Sequence, residues 1–218
     1  MASLAHTPVT AVISDFGGVL TTPVIGPFAA FEAETGITPV QLGTAMAAIG
    51  AQRGANPLFE LETGRLSEAE FLAALGAQLS LQAGREVDLD GFGEHYFANL
   101  DPNHEMIEYM RGLRERGYKL AICTNNVREW EHRWRAMLPV DQIFDVVVDS
   151  AFVGSRKPEP RIYELTLERL GVEAASAVMI DDIEINCDGA RELGMRAVWF
   201  RSAQQAIEDT EAALKDAA

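Results

Sequence analysis

Asp15 closes the apolar run Thr10-Ala11-Val12-Ile13-Ser14 and is followed by Phe16-Gly17-Gly18. A carboxylate at the end of such a run, next to glycines that permit φ > 0 and close backbone approach, reads as an acid delivered to a binding loop. Three other stretches carry polar groups in matching settings. Ile122-Cys123-Thr124-Asn125-Asn126 places a hydroxyl and two amides after an apolar run, and Val178-Met179-Ile180-Asp181-Asp182 ends another run in adjacent carboxylates. Ser155-Arg156-Lys157-Pro158 puts a lysine in a loop before a helix that Pro160 helps to start. Singly, each has an ordinary explanation as a turn, a cap, a solvated loop or an acid at a helix N-terminus. Together they are chemically complete. Convergent carboxylates repel one another unless a cation sits among them, and hard oxygen ligands select Mg²⁺. A carboxylate nucleophile, a lysine and a hydroxyl around one point can seat and neutralise a transferring phosphoryl group.

The elements that must position these groups are legible as alternating patterns. Besides the run ending at Asp15, β-type apolar segments recur at Lys119 to Cys123, Phe144 to Val148, Ala177 to Ile180 and Arg196 to Phe200. Amphipathic helical segments separate them: Glu105 to Arg116, Val127 to Leu138, Pro160 to Leu170 and Glu184 to Leu193. Gly117, Gly171 and Gly194 stand where helix C-terminal caps belong. The alternation predicts an α/β fold, a parallel sheet with helices on both faces, and in such sheets ligands bind beyond the carboxyl ends of the strands. The stretch 21–100 breaks the pattern and reads as helical, with segments at Pro39 to Ile49 and Ser67 to Leu79 around a loop over Gly50 to Pro57. Ser67 and Glu70 form a plausible capping box. The expected division is therefore a core of 1–20 and 101–218 with a helical insertion at 21–100 after the first strand. The stretch from Ser202 is expected to be a surface helix that frays near Ala218.

On these residues the chain resembles the haloacid dehalogenase-like hydrolase superfamily over nearly its whole length. The family pattern is a strand ending in Asp, a strand ending in Ser or Thr, a later Lys, and a strand ending in an acidic pair; here these are Asp15, Thr124, Lys157 and Asp181-Asp182. The resemblance implies a Rossmann-like core, with the insertion as a small cap. Phe59-Glu60-Leu61-Glu62-Thr63-Gly64-Arg65-Leu66-Ser67 is similar to the cap of a subgroup that includes sugar-phosphate phosphatases and the N-terminal phosphatase domain of soluble epoxide hydrolases. It implies in-line attack by Asp15 on a small phosphate monoester, giving an aspartyl-phosphate that water hydrolyses. Thr124 and the Asn125 amide would hold phosphate oxygens, Lys157 would neutralise nucleophile and phosphate, and Asp182 with Asp181 would hold Mg²⁺ beside Asp15 and the Gly17 carbonyl.

Gly17 departs from the pattern. Phosphatases of this family usually carry there a second Asp that protonates the leaving alcohol and later activates water. Glycine keeps the backbone carbonyl and lacks the proton shuttle, a contribution worth about 10² to 10⁴ in rate. The expectation is a slow or narrowly selective phosphatase that favours good leaving groups such as anomeric or acyl phosphates. Three other readings compete: a metal-independent haloacid dehalogenase, a catalytically silent protein that keeps the fold for binding or regulation, and a phospho-receiver domain. In the last, the acidic pair comes first in the chain rather than last.

Bulk composition sets the remaining expectations. With 218 residues, 48% hydrophobic and 23% charged, the chain can bury a sizeable core. A net charge of −15 argues against nucleic acid as partner. No run approaches a membrane span and the first ten residues lack an apolar signal core, so a cytoplasmic location is expected. Cys123 and Cys187 fit a reducing compartment, Cys123 as a small buried hydrophobe. His95, His104 and His132 lack metal-ligand spacing. Trp130 and Trp134, spaced i, i+4, are expected to pack against the core or a neighbouring helix. Glu60, Glu62 and Arg65 are candidates to face a substrate from the insertion, which carries substrate identity; oligomeric state has no signature here.

Overall fold

A computed structural model describes residues 7–215; residues 1–6 and the expected fraying at Ala218 lie outside the described range. The strands are β1 (Ala11–Ser14), β2 (Lys119–Thr124), β3 (Val146–Asp149), β4 (Ala177–Asp181) and β5 (Arg196–Trp199). They form one parallel sheet in the order β3-β2-β1-β4-β5. Between β1 and β2 lie α1 (Ile25–Thr35), α2 (Pro39–Arg53), α3 (Pro57–Glu62), α4 (Glu68–Ala83), α5 (Phe92–Ala98) and α6 (His104–Glu115). Beyond β2 come α7 (Glu131–Ala136), α8 (Val140–Ile143), α9 (Ser150–Val153), α10 (Pro160–Leu170), α11 (Glu184–Glu192) and α12 (Ala203–Lys215).

The strands read as continuous apolar runs because both faces of the sheet are covered. Val12, Leu120, Ile122, Val178 and Ile180 pack on one side with residues of α6 and α12. Their alternate neighbours Ile13, Ala121, Cys123 and Met179 pack on the other with residues of α10 and α11. Cys123 is thus the buried hydrophobe expected, its thiol pushed up by burial to about 11. The helices between Ile25 and Ala98 gather a separate apolar cluster that includes Phe31, Leu42, Leu61, Phe71 and Leu79. The chain leaves the sheet and returns to it through paired backbone: Thr21 bridges Pro102, and Thr22 N–H donates to the Asp101 carbonyl at 2.8 Å. Among the described residues no helix is long and apolar enough to cross a membrane.

Several boundaries differ from the sequence reading. The loop expected over Gly50 to Pro57 is mostly helix: α2 continues to Arg53, stops at Gly54 (φ 74°), and Pro57 opens α3 after the Asn56 cap. The helix expected from Val127 to Leu138 is a 3₁₀ turn at Arg128–Trp130 followed by the short α7. Phe144 closes α8 instead of starting β3. Asp145 then ties that corner down, accepting from Leu120 N–H and from Arg114. The Ser67–Glu70 capping box opens α4 as the sequence indicates.

Candidate active site

Register alone brings the chemistry together. Ser14 is aligned with Ile122 on one side and Ile180 on the other, so the residues that follow β1, β2 and β4 emerge side by side. Asp15 N–H still donates to the Ile180 carbonyl at 2.8 Å, which holds the residue in line with the sheet. Thr124 ends β2 and Asp181 ends β4, both buried. Because β1 connects onward to one side while β4 flanks the other, this is the topological switch point where open α/β sheets bind ligands.

Lys157, 0% exposed, joins two of these strands. Its Nζ lies 2.8 Å from Asp15 Oδ1 and 2.6 Å from Asp181 Oδ2. Asp181 is fully engaged, since its Oδ1 also accepts from Ile183 N–H and Asn186 Nδ2, each at 2.9 Å. Asp15 Oδ1 accepts from Phe16 N–H as well, at 2.7 Å, whereas no described residue donates to Oδ2. Asp182 is half-buried, and its backbone carbonyl accepts from Trp199 Nε1. Asn125 does something the sequence did not reveal. Its Oδ1 accepts from Lys157 N–H at 2.8 Å and its Nδ2 donates to the Lys157 carbonyl at 3.0 Å, clamping the lysine's backbone from both sides.

The electrostatics are those of acids crowded out of water. Burial pushes Asp15 up to about 7; Lys157 opposes this, and the charges of Asp181 and Asp182 add to it. Asp182 is pushed up to about 6, by burial first and then by Asp181. Burial pulls Lys157 down, but Asp15 and Asp181 outweigh it and hold the ammonium above its ordinary value. One carboxylate oxygen from each of Asp15, Asp181 and Asp182 can be chosen so that all three lie within 4.8 Å of one another. Three acids against one lysine leave an excess of negative charge in a buried place. That donor set fits a hard divalent cation.

Above these groups lies a cavity of about 300 Å³ walled by both the core and the inserted helices. Asp15, Gly17, Thr124, Asn125, Lys157 and Asp182 line its floor, so the structure brings six of the seven expected site residues to one cavity. The seventh, Asp181, sits just beneath as the anchor of Lys157. Of the residues considered in the insertion, Glu62 reaches the cavity and pairs with Arg156 at 2.6 Å, while Glu60 pairs with Arg53 and Arg65 is exposed. The two tryptophans part company. Trp134 is fully buried against Phe16, whereas Trp130 lines the cavity, stacks on Tyr96 at 4.9 Å and donates to Glu68 at 2.7 Å. Nothing in the local sequence marks Arg156, Trp130 or Tyr96 as site residues, because what makes them so is a partner far away in the chain.

Residues 9–194 match the haloacid dehalogenase-like hydrolase family. The chain belongs to that family. This haloacid dehalogenase-like chain is 30% identical to mouse acyl-CoA dehydrogenase family member 10 over 212 residues, which is 94% of the chain and 19% of that protein. It is 40% identical to glyceraldehyde 3-phosphate phosphatase of Pyrococcus abyssi over 92 residues, 41% of the chain and 38% of the relative. It therefore spans well under half the length of either relative. Its fold is similar to that of a solved family enzyme from Bacteroides thetaiotaomicron, with a TM-score of 0.66, 21% identity, and coverage of 88% of this chain and 93% of that one.

Proposed function

We propose that this chain is a Mg²⁺-dependent phosphatase of small phosphate monoesters, with Asp15 as nucleophile and the helices between β1 and β2 acting as its cap. The observation that carries the reading is the uneven treatment of the Asp15 carboxylate. Lys157 and the Phe16 N–H hold Oδ1, and among the described residues none donates to Oδ2, on a side chain that lines the cavity. A nucleophile needs this: one oxygen fixed for orientation, the other uncommitted.

In this mechanism Oδ2 attacks phosphorus in line with the leaving oxygen, the ester P–O bond breaks, and the phosphoryl group is carried on Asp15 until water cleaves the acyl phosphate. Lys157 offsets the negative charge of nucleophile and phosphoryl oxygens while staying anchored to Asp181. The Thr124 hydroxyl donates to a phosphoryl oxygen. Asn125 acts by holding the Lys157 backbone in place, a role added to the amide contact expected from the sequence. Asp15, Asp182 and the Gly17 carbonyl would hold the metal; Asp181, with both oxygens engaged, would support it from behind. Bound there, the cation supplies positive charge toward the phosphoryl oxygens and relieves the repulsion between the carboxylates.

The same carboxylate cluster supports this reading over a metal-independent dehalogenase, whose attack on carbon needs no cation among the acids. Gly17 favours one alternative, a silent protein that keeps the fold. The test is Mg²⁺-dependent phosphate release from a panel containing acetyl phosphate, phenyl phosphate and glycerol phosphate, by wild type and Asp15→Asn. Release by wild type alone is expected. Equal release by both would remove Asp15 from the chemistry, and none by either would leave the silent reading.

A further inference from the structure

The walls of the cavity are unlike its floor. Phe28, Leu42, Leu72, Phe92, Tyr96 and Trp130 face it from the inserted helices and the loop after β2. Aromatic rings make one side nearly continuous: Tyr96 stacks on Trp130 at 4.9 Å and meets Phe28 edge-on at 6.0 Å. Polar side chains are few on the wall, and several of them are already engaged within the protein. Glu62 is paired with Arg156 at 2.6 Å, Glu68 accepts from Trp130 at 2.7 Å, and Asn186 donates to Asp181 at 2.9 Å.

Proton supply is equally poor. Gly17 offers no acid, and Glu62, which burial holds above its ordinary value against the opposing charge of Arg156, is committed to that ion pair. Burial, with the charges of Asp15 and Asp182 added, keeps the Tyr96 phenol above its ordinary value, which makes it a weak acid. A leaving oxygen released here must hold its own negative charge. A hydroxyl or carboxylate on the leaving group would shed water against a mostly apolar wall, and each such group left unpaired loses roughly five- to a hundredfold in affinity.

Building on the phosphatase reading, we propose that the substrate is the phosphate monoester of a compact apolar alcohol with a stabilised conjugate base, an aryl or enol ester, rather than a sugar phosphate or phosphorylated hydroxy acid. The about 300 Å³ of space stands at the small end of small-molecule pockets, which limits the group to a single ring or a short branched chain beside the phosphate. In the reaction the phosphorus–oxygen bond breaks, its electron pair leaves on the phenolate or enolate oxygen, and the phosphoryl group passes to Asp15.

Two measurements separate this inference from the reading beneath it. The first is calorimetric binding of non-hydrolysable alkylphosphonates, methyl through hexyl, to the full chain with Mg²⁺. Affinity is expected to rise about fourfold per methylene until the cavity is full, and glycerol phosphate is expected to compete weakly. Leu72→Asn should flatten the rise. A series flat in wild type, or tighter binding of the polyol phosphate, overturns the apolar assignment whether or not the protein turns over. The second is phosphate release from substituted phenyl phosphates. Rates should climb steeply as the phenol becomes more acidic, and Gly17→Asp should flatten that slope by accelerating poor leaving groups about 10² to 10⁴-fold. A shallow slope in wild type overturns the leaving-group half of the proposal. Absence of any Asp15-dependent release defeats the phosphatase reading and with it the substrate assignment, leaving the binding series as evidence of the cavity's preference alone.

Discussion

A Cβ placed on Gly18 would lie 2.3 Å from Oδ2 of Asp182. The loop that follows β1 is therefore shaped around a carboxylate that follows β4, and Gly18 takes a φ of 77°, which side chains rarely adopt. Gly18→Ala is expected to displace Asp182 and weaken Mg²⁺ activation on the order of a hundredfold, with a stability cost of about 1–2 kcal/mol from the left-handed backbone. Gly17 is different: a Cβ there would meet only Val24 Cγ1, at 3.1 Å. Gly17→Ala should leave the activation constant for Mg²⁺ within a few fold of wild type. Titrating Mg²⁺ against activity for both variants checks the contrast, and equal effects would break the link between Gly18 and Asp182.

Removing Lys157 should harm folding as well as activity. Lys157→Met leaves Asp15 and Asp181 facing each other without their shared cation, and losing one partner of a buried ionic group costs about 3–5 kcal/mol. Combining it with Asp15→Asn should recover part of that loss, because one stranded charge disappears. Urea unfolding of the two single variants and the double variant gives the coupling directly. Simple additivity would mean that the ion pair contributes nothing of its own.

Asp15→Asn should abolish phosphate release yet stabilise the metal-free protein. With Asp15 at about 7 when folded and near its ordinary value when unfolded, the folded state binds the extra proton between roughly pH 4 and 7. Its contribution to stability is fully present below the unfolded value and is lost as pH rises through about 7. The variant cannot ionise, so its advantage over wild type should grow by on the order of 2 kcal/mol between pH 5 and pH 8. For a chain of this size that is roughly 4–8 °C in melting temperature. Melting both proteins in chelator at the two pH values is the check; an advantage that shrinks toward pH 8 would reverse the sign assigned to the site.

Asn125→Ala should lower kcat about ten- to a hundredfold by freeing the backbone that carries Lys157, without a matching loss of stability. Asn125→Asp keeps the acceptor for Lys157 N–H and loses the donor to its carbonyl, so it should fall between the two. If KM for phenyl phosphate rises while kcat holds, the side chain contacts substrate rather than positioning the lysine.

The strands, the helices on both faces and the floor of the site were legible in the sequence because each is written locally. Buried parallel strands are apolar runs, and Asp15, Thr124 and Asp181 stand at their ends. What was not legible depends on partners remote in sequence. Asn125 meets Lys157 across 32 positions, and Arg156 meets Glu62 across 94. Trp130 and Trp134 look like one helical face, but the 3₁₀ turn ends at Trp130 and the α-helix begins after it, so one ring goes to the core and the other to the cavity. Gly50 looked like the start of a loop because glycines and a proline cluster there, yet the break belongs to Gly54, where φ turns positive.

The backbone pairing of Thr21 and Thr22 with Asp101 and Pro102 gives the chain a property of inheritance as well as of shape. Everything that walls the cavity from the inserted side leaves and re-enters through two ends already within hydrogen-bonding distance of each other. A change of length inside such a segment leaves those two ends in place, while the contacts of Glu62 with Arg156 and of Glu68 with Trp130 tie its inner face to the sheet side of the cavity. Changes of length are thus absorbed within the segment, and changes of composition must respect those contacts.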